Sequence, residues 1–98
     1  MIVCVNTYEV PPSAGDKFEH AFAAVIELLR LKPGFCGVRL HRASDGSGKY
    51  MTYAEWDSLD HQREAGKDTA LAPRMKAVLA IARPSAEWFE TVLDSRLS

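Results

Sequence analysis

The sequence FCGVRLHRASDGSGKYMTYAEW, residues 35–56, contains the clearest structural pattern in the chain. Its two ends, residues 35–43 and 49–56, are predicted strands, and the second contains four aromatic or β-branched residues, Tyr50, Thr52, Tyr53 and Trp56. Residues 44–48 between them are Ser, Asp and Gly, which tolerate positive φ or form local hydrogen bonds in turns. Two strands joined by such a turn predict a β-hairpin, and the other elements extend from it in both directions.

A strand and an amphipathic helix are predicted on the N-terminal side of the hairpin. Residues 2–10 form a β-branched and aromatic run that Pro11 and Pro12 terminate. Ser13 is a candidate N-cap for the helix that follows, which ends at residues 32–34, Lys-Pro-Gly. The apolar residues of this helix recur at helical spacing and form one wide stripe: Phe18, Ala21, Phe22, Val25, Leu28 and Leu29.

Two helices and a final strand are predicted on the C-terminal side. Asp57 and Ser58 are the candidate caps of a short helix over residues 59–67, and Asp68 can cap the next helix. Pro84 ends that second helix, and residues 87–94 form the fourth strand. One face of the second helix is apolar and consists of Leu71, Met75, Val78 and Ala82.

The resulting order, βαββαβ, predicts the fold class. Right-handed crossovers fold this order into an α+β, ferredoxin-like protein, a four-stranded antiparallel sheet with its helices on one face. A chain of 98 residues is expected to form a single domain over residues 1–98.

Both faces of the predicted sheet carry apolar side chains, although the helices can cover only one of them. Alternation places Ile2, Cys4 and Tyr8 on one side and Val3 and Val5 on the other. The third strand opposes Trp56 and Tyr50 to Met51 and Tyr53, and the fourth opposes Trp88 and Val92 to Phe89 and Leu93. An exposed apolar sheet face usually marks an interface, so we expect a homodimer packed sheet against sheet.

Composition excludes several other classes of function. The chain is 47% hydrophobic and 26% charged with a net charge of −1, so it has no basic excess for nucleic acid. Its longest apolar stretch, within residues 21–31, is interrupted by charged residues and is not expected to span a membrane. We expect no signal peptide, because residues 1–10 contain no basic segment. Cys4 and Cys36 lie in strand-like runs and are expected to be buried free thiols of a cytoplasmic protein.

Four segments together resemble the antibiotic-biosynthesis monooxygenase family. They are residues 6–11 (NTYEVP), 33–35 (PGF), 53–58 (YAEWDS) and 89–94 (FETVLD). The resemblance implies a ferredoxin-like protomer that pairs into a dimeric α/β barrel, with a pocket between the sheet and the helices of each protomer. It also implies one of two activities. Some members are cofactor-independent oxygenases that convert polycyclic aromatic phenols to quinones, and others are heme-degrading monooxygenases.

Asn6 and Trp56 are the candidate catalytic residues. An amide buried without a partner costs about 1–3 kcal/mol, so Asn6 in its apolar strand is either paired with backbone or directed into the pocket. The resemblance implies the second arrangement, in which Asn6 hydrogen-bonds substrate or a reduced oxygen species. It also implies a catalytic role for Trp56, and it places Thr52 where the quinone-forming enzymes carry an Asn. Thr52, Tyr8 and Arg74 are the candidate substrate-binding residues, Arg74 for an anionic group at the pocket mouth.

The residues at the positions of the heme ligands favour heme degradation less than the cofactor-independent activity. The heme degraders use an axial His in the helix before the last strand and a Trp in the preceding short helix, and here Met75 and Ala65 occupy these places. Met can ligate heme iron, but on the apolar stripe of a helix it is expected in the core. His20, His41 and His61 have no spacing that suggests a ligand set.

The leading hypothesis is therefore a cofactor-independent monooxygenase that uses dioxygen to oxidise a small or polycyclic aromatic phenol. An electron-rich phenolate can pass an electron to oxygen without flavin or metal, while the protein excludes water and stabilises the oxygen intermediate. Heme binding or degradation is the second hypothesis, and a non-catalytic ligand-binding dimer is the third.

Overall fold

The computed structural model describes residues 1–96 and contains every strand and helix that the sequence predicts. The strands are β1 (Ile2–Glu9), β2 (Phe35–Arg42), β3 (Lys49–Trp56) and β4 (Pro84–Glu90). The helices are α1 (Gly15–Leu29), α2 (Leu59–Gly66) and α3 (Leu71–Leu79). The βαββαβ order and the ferredoxin-like α+β fold are confirmed. Within residues 1–96 no helix is long and apolar enough to cross a membrane.

The sheet is antiparallel, with the strand order β2-β3-β1-β4. The two central strands, β1 and β3, pair in continuous register, which aligns Asn6 with Thr52 and Cys4 with Ala54. On its other side β1 pairs with β4, which places Ala86 beside Asn6. Each such row of neighbours lies on one face of the sheet, because cross-strand partners point the same way.

The main core lies between the helices and one end of the central strands. Phe18 of α1 is completely buried, and its ring centroid lies 5.0 Å from that of Tyr8 and 4.9 Å from that of Tyr50. Val78 of α3 is also fully buried in this cluster, which joins both long helices to the sheet. The apolar stripes predicted for the two helices are therefore the ones that pack on the sheet.

The opposite surface of the sheet, which we call the open face, carries the predicted apolar side chains together with charged and polar ones. Its apolar residues are Val3, Val5, Met51, Tyr53 and Phe89, and the others include Thr7, Arg39, His41, Glu55 and Glu87. Tyr53 and Phe89 are 38% and 50% exposed. Residues 91–96 pass near this face, where Arg96 Nη1 lies 3.5 Å from Glu55 Oε1.

The fourth strand begins and ends earlier than predicted. It covers Pro84–Glu90 rather than residues 87–94, so Val92 and Leu93 lie beyond it and are 86% and 90% exposed. Proline is tolerated as the first residue of an edge strand, where its missing N–H interrupts nothing. The strand ends where its partner ends, because Glu90 already pairs with Ile2 and Thr91 N donates to Met1 O at 3.2 Å.

The predicted caps of the helices differ in outcome. Ser13 does not cap α1, because residues Pro12–Ala14 form a short 3₁₀ helix and α1 begins without a side-chain cap. Ser58 does cap α2, since its Oγ accepts a hydrogen bond from His61 N at 3.2 Å. Asp68 precedes α3 by a turn, and its Oδ1 accepts from Ala70 N at 2.8 Å.

This difference gives a matched pair of substitutions. Replacing Ser58 with Ala is expected to lower the free energy of unfolding by about 1 kcal/mol, because the α2 N-cap is lost. Replacing Ser13 with Ala is expected to change it little. Urea unfolding at one fixed protein concentration measures both values. Equal losses for the two variants would contradict the assignment of Ser58 as the cap.

The two cysteines lie in different environments. Both are free, and Cys4 is buried as predicted, but Cys36 is exposed, so the expectation for Cys36 was wrong. Cys36 lies at a register shift between Phe35 and Gly37, where β2 bulges against β3. A bulge adds a residue to one strand and changes the direction of the side chains around it, which alternation alone does not predict.

Candidate functional site

A cavity of about 270 Å³ lies between the helix-covered face of the sheet and the three helices. Its lining includes no charged residue. The sheet contributes Cys4, Asn6, Tyr8, Val38, Thr52, Ala54, Trp56, Ala86 and Trp88; the helices contribute Phe22, Val25, Leu29, Gln62, Ala65, Gly66, Leu71 and Met75. Four of the five predicted site residues therefore meet here: Asn6, Trp56, Thr52 and Tyr8.

Small side chains in the sheet create the space. Tyr8 and Tyr50 pair across β1 and β3 under the hydrophobic core. The next two pairs along these strands on the same face are Asn6 with Thr52 and Cys4 with Ala54. Ala86 of β4 extends the first of these pairs into a longer row. Because the helices are held off the sheet by the aromatic core, rows of short side chains leave an unfilled volume above them. The cavity is thus a consequence of residue size along β1, β3 and β4.

Asn6 places an amide on the sheet wall of this cavity. Its Nδ2 donates to Cys4 Sγ at 3.4 Å, and a thiol sulfur is a weak acceptor. The side chain is only partly buried, so the amide retains access to the open volume. Burial raises the pKa of the Cys4 thiol, which is therefore neutral near pH 7.

Thr52 and Tyr8 form a second polar group on the sheet wall. Thr52 is 1% exposed and Tyr8 is 3% exposed, so both hydroxyl side chains lie within the sheet wall. Burial raises the pKa of Tyr8, so this phenol is also neutral near pH 7. Asn6 is less buried than either, which makes its amide the most accessible polar group on this wall.

Two indole rings bound the cavity on the sheet side. Trp56 at the end of β3 is 4% exposed, and its ring packs edge-on against Phe35 with centroids 5.0 Å apart. Trp88 on the edge strand β4 is 44% exposed and lies at the rim. Such flat, rigid walls suit an aromatic ligand.

Arg74 does not line this cavity. Its Nη1 donates to the backbone carbonyl of Ala24 at 2.6 Å and lies 3.9 Å from Glu27 Oε2. These contacts join α3 to the outer surface of α1. The structure thus gives Arg74 a role in helix packing, and its predicted role at the pocket mouth receives no support from this placement.

Sequence reasoning missed Gln62, which lines the cavity from α2. Helix α2 forms a roof over one side of the cavity, and two contacts fasten it to the loop after α1. The ring of His61 packs against Gly34, whose φ of 79° and lack of a side chain allow this close approach. Lys32 forms an ion pair with Asp68, just beyond α2. A single polar residue on a short helix carries no pattern that reveals such a position.

The Lys32–Asp68 pair gives a pH-dependent contribution to stability. The hydrogen bond from Lys32 lowers the pKa of Asp68, so the pair stabilises the fold above the unfolded Asp pKa of about 3.9. The contribution is lost as the pH falls through the lowered pKa of the folded protein. We therefore expect Asp68→Asn to be less stable than the wild type near neutral pH, with a difference that disappears in acid.

Denaturant unfolding over a range of pH measures this difference. Glu64→Gln is the matched control, because the Glu64–Lys67 pair is exposed and such pairs contribute little. A stability difference for Asp68→Asn that stays constant down to strongly acidic pH would contradict the assignment.

The donor atoms around the cavity do not form a heme-ligand set. The lining contains no His, and its sulfur atoms are those of Cys4 and Met75. The Cys4 thiol is neutral because burial raises its pKa, and Met75 packs against the hydrophobic core. His20 and His41 are exposed, and His61 Nδ1 lies 2.8 Å from Ser58 Oγ. Residues 1–96 also contain no group of three or more His, Cys, Asp or Glu side chains placed to hold a metal ion.

Comparison with known proteins identifies relatives along nearly the whole chain. A mycobilin-producing heme oxygenase of Mycobacterium tuberculosis is 30% identical over 95 residues, which cover 95% of this chain and 90% of that protein. The crystal structure of SnoaB, a cofactor-independent oxygenase from Streptomyces nogalater, superposes with a TM-score of 0.86 at 25% identity. That match covers 95% of this chain and 94% of SnoaB.

The fold extends to more distant proteins. A conserved protein from Methanosarcina mazei matches with a TM-score of 0.82 at 11% identity, covering 90% of this chain and 89% of that one. Residues 1–71 match the sequence profile of the family described as antibiotic biosynthesis monooxygenase. Because this profile covers most of the chain, and the M. tuberculosis relative is 30% identical over 95% of it, this chain belongs to the antibiotic biosynthesis monooxygenase family.

Proposed function

We propose that this protein is a cofactor-independent monooxygenase that converts an aromatic phenol into a quinone. The observation that carries the proposal is the Asn6 amide, which lines an uncharged cavity bounded by Trp56 and Trp88. The likeness to SnoaB, a cofactor-independent oxygenase, supports the same activity. Both cysteines are free, which fits a reducing cytoplasm.

The reaction needs no external reductant. A phenol and dioxygen give a quinone and water, so one oxygen atom enters the ring and the other leaves as water. The substrate supplies all four electrons that dioxygen accepts. The first electron leaves most easily from the phenolate and gives a phenoxyl radical and superoxide, which the cavity then has to hold together away from solvent.

The cavity supplies hydrogen bonding rather than a base. Its titratable side chains are Cys4 and Tyr8, and burial raises the pKa of both, so neither is ionised near pH 7. The substrate therefore ionises on its own, and the rate follows the pKa of the bound phenol. Asn6 Nδ2 stabilises the negative charge that develops on oxygen, while Trp56 forms a wall against the ring.

Oxygen uptake with an anthrone such as dithranol tests the activity. We expect protein-dependent consumption of one dioxygen per anthrone, with the anthraquinone as product and no added flavin, metal or heme. The rate should rise with pH until the anthrone is ionised. If a series of anthrones and naphthols gives no uptake above the uncatalysed rate, the proposal is wrong.

Heme degradation is the second candidate, because the M. tuberculosis relative at 30% identity is a heme oxygenase. The ligand set described above does not fit heme, so we expect hemin to bind weakly and without a defined axial ligand. Hemin titration followed by absorbance measures this, with apomyoglobin as the positive control. A saturable Soret shift at micromolar protein would favour the heme-degrading function instead.

We further propose that the working form is a homodimer that pairs the open faces into a dimeric α/β barrel. The support is the open face, where Val3 lies beside Phe89 and Val5 beside Tyr53 without helix cover. Pairing would remove from water an apolar surface of the kind that usually marks an interface.

A further inference from the structure

The roof of the cavity carries a polar side chain of its own. Gln62 lies on α2 and lines the cavity from the helix side, whereas Asn6 and Thr52 line it from the sheet. Among residues 1–96 the Gln62 side-chain amide has no hydrogen-bond partner, and no fully buried side-chain nitrogen or oxygen lacks one. The Gln62 amide is therefore in contact with open volume.

The remaining helix-side lining is apolar. It consists of Phe22, Val25, Leu29, Ala65, Leu71 and Met75 together with the backbone of Gly66. The cavity thus has two separate hydrogen-bonding points, the Asn6 amide on the sheet wall and the Gln62 amide on the roof, with apolar surface between them. Thr52 and Tyr8 are 1% and 3% exposed, so they do not form a third point of comparable access.

We propose that Gln62 is a specificity-determining residue and that the substrate is a compact arene with oxygen substituents at two opposite edges. One oxygen bonds to Asn6 and the other to Gln62, while the rings lie against the apolar walls. The volume of about 270 Å³ is below the range of about 300–1,000 Å³ typical of sites for drug-sized ligands, which favours few rings. The assignment of the Asn6-bound oxygen as the reacting phenol rests on the proposed function.

Binding without turnover tests this proposal. Isothermal titration calorimetry under argon compares naphthalene-2,6-diol, whose hydroxyls are at opposite edges, with 2-naphthol, which has one. The wild type is expected to bind the diol about tenfold more tightly, the value of one additional hydrogen bond. Gln62→Met keeps the length of the side chain and removes the amide, so it should abolish the preference and leave 2-naphthol affinity nearly unchanged.

Two further variants make the result interpretable. Arg63→Ala changes the exposed neighbour on the same helix and should keep the preference. Gln62→Glu keeps the size and an acceptor oxygen for the second hydroxyl of the diol, so it should keep the preference for the diol over 2-naphthol. Equal affinities for diol and naphthol in the wild type, or a preference unchanged in Gln62→Met, would overturn the proposal. Because no oxygen is present, a preference that depends on Gln62 stands even if oxygen uptake is never found.

Discussion

Replacing Val5 with Lys is expected to leave little folded protein in solution. Val5 lies on the open face in the central strand β1, between Tyr53 of β3 and Glu87 of β4. If two open faces pack together, the new ammonium group is buried at the contact, and the neighbouring carboxylate of Glu87 has to be buried with it to form a pair. The lost hydration of such charges costs several kcal/mol, while a small domain is stable by about 5–15 kcal/mol in total. Aggregation or unfolding is therefore the expected outcome.

Circular dichroism and sedimentation equilibrium of the soluble fraction measure this effect. Ala80→Lys is the matched control, because it adds the same charge at the exposed end of α3, where a cation is favourable. Met51→Lys should behave like Val5→Lys. A Val5→Lys protein that is folded and monomeric, from a wild type that is itself a 10.9 kDa monomer at micromolar concentration, would contradict the homodimer.

Replacing Asn6 with Ala is expected to lower the turnover of an anthrone by about 10²–10³, the usual effect of removing one donor to a developing oxyanion. The substitution removes the amide that faces the cavity and leaves the strand register intact. Because the amide acts after the substrate has bound, the loss should appear mainly in kcat, with a smaller change in KM.

The control for this variant is Glu9→Gln, an exposed polar change at the end of the same strand. Both variants should unfold with wild-type midpoints to within a small difference, which separates a catalytic effect from a structural one. Full activity in Asn6→Ala would remove Asn6 from the mechanism.

The elements that sequence reasoning placed best were those with a local signal. The hairpin has strand-forming residues on both sides of a Gly-rich turn, and β3 covers Lys49–Trp56 as predicted. The register of β4 has no local signal, because its end is fixed by how far β1 extends toward Met1. Ser13 failed as a cap for a related reason, since the preceding prolines direct the chain into a 3₁₀ helix first.

The site was predictable on the sheet and not on the helices. Asn6, Thr52 and Tyr8 share one face because alternate residues of a strand point the same way, and the pairing of β1 with β3 brings them together. Arg74 and Gln62 depend instead on how α2 and α3 rotate and pack, which no period in the sequence defines. Arg74 thus contacts α1 instead of lining the cavity, and Gln62 was missed.

The rows of short side chains under the cavity have a consequence for how this scaffold can diversify. The fully buried residues Phe18, Val25 and Val78 hold the helices to the sheet, while Cys4, Ala54 and Ala86 only leave room. Exchanges among Ala, Cys, Ser and Val at those three positions therefore alter the volume and shape available to a guest molecule while the residues that anchor the helices stay in place. Selection can test many ligands on one stable framework, because the positions that set fit and those that set folding are largely different.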